Sequence, residues 1–261
     1  GTVDYTVLSN TVWSVESDQS WCTVTLSGSG NGAITASYEG NTTGINRSAT
    51  ITVTVTGLPA VNVVLNQEAE VSKQLTLNVL LEGLYNGTTL NKAQNTSGPQ
   101  YTGMVADRIL VELHESVSPY ALIGGPYEAD ILTDGTSQIS IPVNLSSSYY
   151  LVVKHRNSLE TWSSAPVSFG GATISYDFSS SASQAMGSNM KLKYSKYVLF
   201  SGDINQDGMI DQQDMTQLNT DADGFVSGYV GSDLNGDALI DAEDMILLDN
   251  NAAVQIEVVR P

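Results

Sequence analysis

Hydrophobic and polar residues alternate along most of this chain, and the dominant period is two. Ala49, Ile51, Val53 and Val55 alternate with Thr50, Thr52, Thr54 and Thr56, the pattern of a strand with one buried face. Leu58-Pro59 interrupts the run, and Val61, Val63 and Leu65 resume it. Gly28, Gly30, Gly32, Gly40 and Gly44 punctuate the earlier half as turns. With many short strands and no helix-length amphipathic segment, residues 1–70 are predicted to form a small β-sandwich.

A short connector at 71–74 leads into a second strand-rich region. Leu75, Leu77, Val79 and Leu81 form one alternating face, Ile109, Val111 and Leu113 another, and Ile139, Ile141, Val143 and Leu145 a third. The apolar run from Tyr149 to Val153 suits a strand buried on both sides, and Ile174, Tyr176 and Phe178 close the series. Residues 86–106, rich in Asn, Gly, Thr and Ser, are too polar for a core strand and are predicted to be a long loop, a kind of segment that often carries function. After residue 201 the period lengthens: Met215 with Leu218, and Met245 with Leu247 and Leu248, lie at helical spacing. The fold class is therefore mainly β. Two consecutive β-sandwich domains, 1–70 and 75–200, precede a small helical unit at 201–254 and a C-terminal strand or tail at 255–261.

Charge changes the picture at the C-terminal end. The net charge is -18, with 28 acidic against 10 basic residues, and a surface so acidic repels phosphate backbones, which argues against nucleic-acid partners. Residues 201–250 hold 12 of those acids and no Lys, Arg or His. The acids are interleaved with Ile, Leu, Met and Gly at fixed spacing, which distinguishes the block from a solvated tail and points to a cation.

The spacing is that of a twelve-residue calcium loop, whose positions 1, 3, 5, 7, 9 and 12 supply hard oxygens. In the first copy these are Asp203, Asn205, Asp207, the Met209 carbonyl, Asp211 and Asp214; in the second they are Asp233, Asn235, Asp237, the Leu239 carbonyl, Asp241 and Asp244. Two calcium ions are the expected cofactors. Gly208 stands at position 6, where the chain turns sharply, but Ala238 takes that place in the second copy. Ile210 and Ile240 at position 8 are expected to pack inward. Position 12 is Asp where the EF-hand has Glu. The strand-like Tyr197-Val198-Leu199-Phe200 stands where an EF-hand has its first helix. On these features residues 201–250 resemble a dockerin-like pair of half EF-hands, and millimolar extracellular calcium makes a structural role the expectation.

Other residues resemble known modules. Trp13 and Trp21, Ser27-Gly28-Ser29-Gly30, Asn41, Arg47-Ser48-Ala49-Thr50-Ile51-Thr52-Val53 and Gln67 resemble a BACON domain over about residues 5–69. The resemblance implies an immunoglobulin-like β-sandwich of exported Bacteroidetes proteins, often found beside glycan-degrading modules. The run Lys154 to Ser163, with Phe225-Val226-Ser227-Gly228-Tyr229 and Val258-Val259-Arg260-Pro261, is similar to a motif of Bacteroidetes β-sandwich modules that precede a calcium-loop pair.

Other candidate sites carry less. Cys22, the single cysteine, lies in an apolar run, so it reads as a buried, inert thiol and rules out an intrachain disulfide. His114 and His155 lack the spacing of a zinc or triad motif and read as hydrogen-bonded structural groups. Asp107, Glu112, Glu115 and Glu160 are available for a glycosidase pair, but nothing in their spacing singles out an acid and a base. Trp21 is expected in the first core, as the BACON resemblance implies, whereas Trp13 and Trp162 are candidates for stacking on sugar rings.

No stretch is apolar for the roughly 20 residues that span a bilayer. The expected protein is non-catalytic, exported from a bacterium to the medium or cell surface, with its signal segment outside this chain. Its expected partner is a polysaccharide or surface glycan. The alternative is a docking or spacer module that meets a cohesin-like or other surface protein, and a third reading is a cryptic glycoside hydrolase.

Overall fold

The computed structural model describes residues 1–41, 45–69, 72–171 and 173–261. Gly44 of the predicted turns, the last residue of the predicted 1–70 domain and Val71 of the predicted connector lie outside them. The chain divides into two compact units, Gly1–Ser72 and Lys73–Pro261. The predicted boundary at 200/201 does not separate two units in this division.

The first unit is built from β1 (Thr2–Val7), β2 (Val12–Ser17), β3 (Cys22–Val24), β4 (Ser27–Ser29), β5 (Gly32–Tyr38), β6 (Arg47–Thr54) and β7 (Val61–Gln67). One sheet runs β1-β5-β3 and the other β4-β2-β6-β7. Val15 from one sheet and Ile34 from the other meet in a single core with Cys22, Ala49 and Ile51, so the unit is a β-sandwich. The period-two reading is visible directly: Ala49 and Ile51 are buried, and Ser48 and Thr54 are exposed. Gly28 is required by packing, because a Cβ there would lie 2.1 Å from the Trp13 ring.

The second unit contains β8 (Ser72–Asn78), the short β9 (Gln94–Asn95) and β10 (Gly98–Pro99), then β11 (Val105–Glu115), β12 (Leu122–Leu132), β13 (Thr136–Pro142), β14 (Ser148–His155), β15 (Ser158–Trp162), β16 (Val167–Ser168) and β17 (Thr173–Asp177). A hairpin of β18 (Lys191–Lys193) and β19 (Lys196–Val198) precedes two helices, α1 (Gln212–Asp223) and α2 (Ala242–Ala252). The main strands join in one sheet ordered β15-β14-β11-β12-β13-β8-β17, with β16 on β14. Strands from both ends of that path, including Leu151 of β14 and Ile174 of β17, feed one core. Val143 is an exception to the alternation: β13 ends at Pro142, and Val143 is exposed.

The β11–β12 pairing shifts register between Val105 and Asp107. Beyond the shift Asp107 is in phase with the buried Ile109 and Val111, so the bulge aims a carboxylate at the inner end of the sheet. Among the described residues no helix is long and apolar enough to cross a membrane.

Candidate metal centre

The two predicted loops fold as near copies. Asp211 caps α1, accepting from Gln213 N at 2.7 Å, and Asp241 caps α2, accepting from Glu243 N at 2.8 Å. Position 12 of each loop lies in the first helical turn and returns to the cap residue: Asp214 Oδ2 accepts from Asp211 N at 2.9 Å, and Asp244 Oδ2 from Asp241 N at 3.0 Å. This reciprocal box fixes position 9 against position 12. The other oxygen of each carboxylate gathers the front of its loop. Asp214 Oδ1 accepts from Ile204 N and Asn205 N at 2.8 and 3.1 Å, and Asp244 Oδ1 from Leu234 N and Asn235 N at 2.8 and 3.0 Å. Asn205 and Asn235 each accept from the amide two residues on, at 2.9 and 3.0 Å.

The backbone explains the unequal glycines. Loop one enters the left-handed region at Gln206 and Gly208 (φ 59 and 89), and loop two at Gly236 and Ala238 (φ 77 and 73). Both loops therefore turn at positions 4 and 6, with glycine at position 6 in one and at position 4 in the other. Ala238 carries the strain foreseen from its sequence position.

The loops differ at position 1. Both Asp233 oxygens take backbone amides, Oδ1 from Gly236 and Asp237 at 2.9 and 3.1 Å and Oδ2 from Ala238 at 3.2 Å. Asp203 Oδ1 is buried with no hydrogen-bond partner. Burial, with Asp214 and Asp207 close by, pushes the Asp203 carboxyl up to about 7. Burial likewise raises Asp233 to about 6, against the pull of the Arg156 guanidinium. An orphaned carboxylate oxygen among all-oxygen donors is the environment a hard cation satisfies. Among the described residues no three His, Cys, Asp or Glu side chains converge as a metal cluster. In loop one the donors would be Asp203, Asn205, Asp207, Asp211, Asp214 and the Met209 carbonyl. In loop two they would be Asp233, Asn235, Asp237, Asp241, Asp244 and the Leu239 carbonyl.

Ile210 is buried in an apolar cluster with Phe200, Leu218, Leu234 and Leu248, and Ile240 packs against the same cluster. Ile210 N pairs with Ile256 O at 2.9 Å, and Val258 N with Gly208 O at 2.8 Å, so the C-terminal tail adds a strand-like edge to loop one.

The β14–β15 turn is bonded to both loops. Asn157, in the β14–β15 turn, accepts from Gly202 N at 2.8 Å and donates through Nδ2 to Asp233 O at 2.8 Å. Arg156 Nη1 donates to Val230 O and, at 2.8 Å, to Asp233 O. Arg156 lies 4.5 Å over the Tyr229 ring and 3.4 Å from Asp107 Oδ2. Asp107 also accepts from the Tyr229 hydroxyl at 2.5 Å, and His155 Nε2 lies 3.1 Å from its Oδ2. Burial would raise the Asp107 carboxyl, but His155, Arg156 and Tyr229 outweigh it and hold the group down at about 2. Sequence reasoning noticed these residues without connecting them. Two runs distinctive in the sequence supply most of the brace: Lys154–Ser163 gives His155, Arg156 and Asn157, and Phe225–Tyr229 gives Tyr229.

The polar 86–106 segment also serves loop two. It contains the small β9–β10 pair instead of being wholly loop, and Gln94 N donates to Gly236 O at 2.8 Å. Gly83 allows the closest approach, since a Cβ there would lie 1.8 Å from Leu234 O.

The tryptophan expectation needs correction. Trp13 is 3 % exposed, with its Nε1 donating to Gly30 O at 3.0 Å, and Trp162 is 5 % exposed, with its Nε1 on Glu160 Oε1 at 2.6 Å. Trp162 packs on His114 and Tyr150 at centroid distances of 4.6 and 6.0 Å, so neither ring offers a free face to a sugar. Among the described residues two aromatic rings stand well exposed, Phe225 at 91 % just beyond α1 and Tyr194 at 69 %. Both histidines have partners at both ring nitrogens, and Cys22 is buried and unpaired.

Comparison with known proteins reaches the first unit. Residues 1–70 match the family model described as the viral BACON domain. That agrees with the BACON resemblance of the sandwich. No curated protein matches the chain. Among solved structures, a type II cohesin–X-dockerin complex from Acetivibrio cellulolyticus aligns at 17% identity over 69% of this chain and 95% of that one, with a TM-score of 0.40. A Bacteroides ovatus GH5 xyloglucanase in complex with a XXXG heptasaccharide aligns at 18% identity, covering 48% of this chain and 27% of its own, with a TM-score of 0.26. The D0–D1 domain of intimin aligns at 10% identity over 59% and 82%, with a TM-score of 0.23. At these scores the three likenesses carry no argument about what this chain does.

Proposed function

We propose that this chain is a non-catalytic docking module of an exported or cell-surface protein, in which two calcium ions hold the C-terminal loop pair in shape. The observation that carries the reading is Asp203 Oδ1, a buried carboxylate oxygen without a partner in a loop whose six oxygen-bearing positions are repeated thirty residues later. In this reading residues 201–250 are a dockerin-like unit. Calcium supplies positive charge to the loop carboxylates, and the loops in turn fix the starts of α1 and α2.

A protein partner fits better than a sugar. Phe225, Leu239 and Ile246 are large apolar side chains exposed in the loop–helix segment, whereas the tryptophans expected to stack on glycan are buried. Three of the four candidate glycosidase carboxylates are engaged as well: Asp107 by His155 and Arg156, and Glu112 and Glu160 by Lys154 at 3.0 and 3.4 Å. A cohesin-like surface protein is the class of partner proposed. Calorimetric titration of metal-free chain with calcium tests the reading. It predicts two bound ions, and an absence of heat and of any change in melting temperature would overturn it.

A second reading rests on a hollow of about 430 Å³ bordered by Tyr101, Arg108, Lys154 and Arg156. Its polar rim suits a glycan, and a glycan array separates the two: a hit abolished by Tyr101→Ala would move the assignment to this hollow.

A further inference from the structure

Glu82, Lys191 and Asn251 form a closed triangle where α2 ends against the β18–β19 hairpin. Glu82 is 2 % exposed and Asn251 is 1 % exposed. Lys191 reaches them from β18 with its side chain 29 % exposed. Its Nζ lies 2.6 Å from Glu82 Oε1 and 2.7 Å from Asn251 Oδ1. Asn251 Nδ2 donates to Glu82 Oε2 at 2.7 Å. Each pair of the three groups is therefore in hydrogen-bond contact.

The carboxamide is held in one orientation. Asn251 Nδ2 also donates to Ser201 O at 2.7 Å, and Ser201 N donates to Glu82 Oε2 at 3.0 Å. A flipped amide would set its NH2 against the Lys191 amine and its oxygen against two acceptors, so the network permits only the arrangement with Oδ1 facing Nζ. The chain neighbours Met190 and Phe200, and Leu248 one turn back on α2, are buried apolar residues. The site thus brings together an amine, a fixed carboxamide and a carboxylate touching both, beside buried apolar side chains.

We propose that Lys191 and Asn251 are joined by an intramolecular amide bond that the folded chain forms by itself, with Glu82 as the proton carrier. Glu82 takes a proton from the Lys191 ammonium, and the freed lone pair on Nζ attacks Asn251 Cγ, the carbon next to the oxygen it already touches. The Nζ–Cγ bond forms and the Cγ–Nδ2 bond breaks. Of the three protons on Nζ, one stays on the new amide nitrogen. The other two pass by way of Glu82 to Nδ2, which leaves as ammonium, and the carboxylate is restored. No oxidant, reductant or cofactor enters the balance.

The two residues are 60 positions apart, and both twelve-residue loops lie within the ring the bond would close. Such a ring restricts the unfolded ensemble. A chain stripped of metal could then loosen its loops without releasing the end of α2 from the sheet unit.

Mass spectrometry of the purified, denatured full chain tests the proposal. The expected intact mass is short of the sequence mass by one ammonia, and a proteolytic digest contains a branched peptide joining Lys191 to Asn251. Asn31, Asn86 and Asn235 each precede glycine and can lose ammonia by cyclising on themselves, so the branched peptide decides. Full sequence mass, or a missing ammonia without the branched peptide, would overturn the bond. Glu82→Gln keeps the shape but removes the proton carrier. It is expected to show full mass and no branch, and a branch in that variant would overturn the role of Glu82. Should the variant fail to fold, the digest of the unaltered chain still decides whether the bond exists.

Discussion

The side chain of Asn157 donates to the main-chain carbonyl of Asp233 at 2.8 Å, tying the β14–β15 turn to the first residue of the second twelve-residue loop. Through its own carbonyl the same residue accepts from Gly202, the residue before the first loop. One turn of the sheet unit therefore sets the spacing of both loops.

Asn157→Ala should lower stability by about 1–3 kcal/mol, since it leaves a buried carbonyl with one partner fewer. Urea unfolding monitored by tryptophan fluorescence gives the loss. Calorimetry should show calcium binding weakened more than in a variant at an exposed position such as Thr216.

The two loops make opposite predictions about glycine. Ala238 sits at φ 73, so Ala238→Gly should stabilise the chain by about 1 kcal/mol through relief of left-handed strain. Gly236→Ala should destabilise it, because the residue lies at φ 77 and a Cβ would meet Leu84 at 2.4 Å. Melting temperatures of the two variants should move in opposite directions.

Asp107 makes the acid limb of the stability curve testable. Its carboxyl is held at about 2 in the folded chain, below the ordinary value of about 4 for an unfolded aspartate. A depressed folded-state value contributes stability that is full above about pH 4 and is lost as pH falls towards 2. Asp107→Asn should be less stable at neutral pH and should flatten stability across that window. Unfolding free energies at several pH values supply the check.

The sequence made the repeated loops legible, because each oxygen position recurs with its chemistry intact. It also made the strands legible wherever one face is buried, as in Ala49 and Ile51. The brace was not legible. Asp107, His155 and Tyr229 meet only because a bulge re-aims Asp107 and the chain returns 122 residues later, and neither event leaves a periodic mark. Trp162 shows the same limit from the other side: it packs on Tyr150 of the adjacent β14 and on His114 of β11, one strand further. The 86–106 segment looked like free loop because its contact with Gly236 is made by main-chain atoms, to which composition is blind.

The most direct test is the melting temperature of the metal-free chain, with and without added calcium. The two-loop account predicts a rise on adding calcium, reversed by EDTA, with hydrogen-exchange protection gained in residues 201–250. A melting curve and an exchange pattern indifferent to both calcium and EDTA would contradict it.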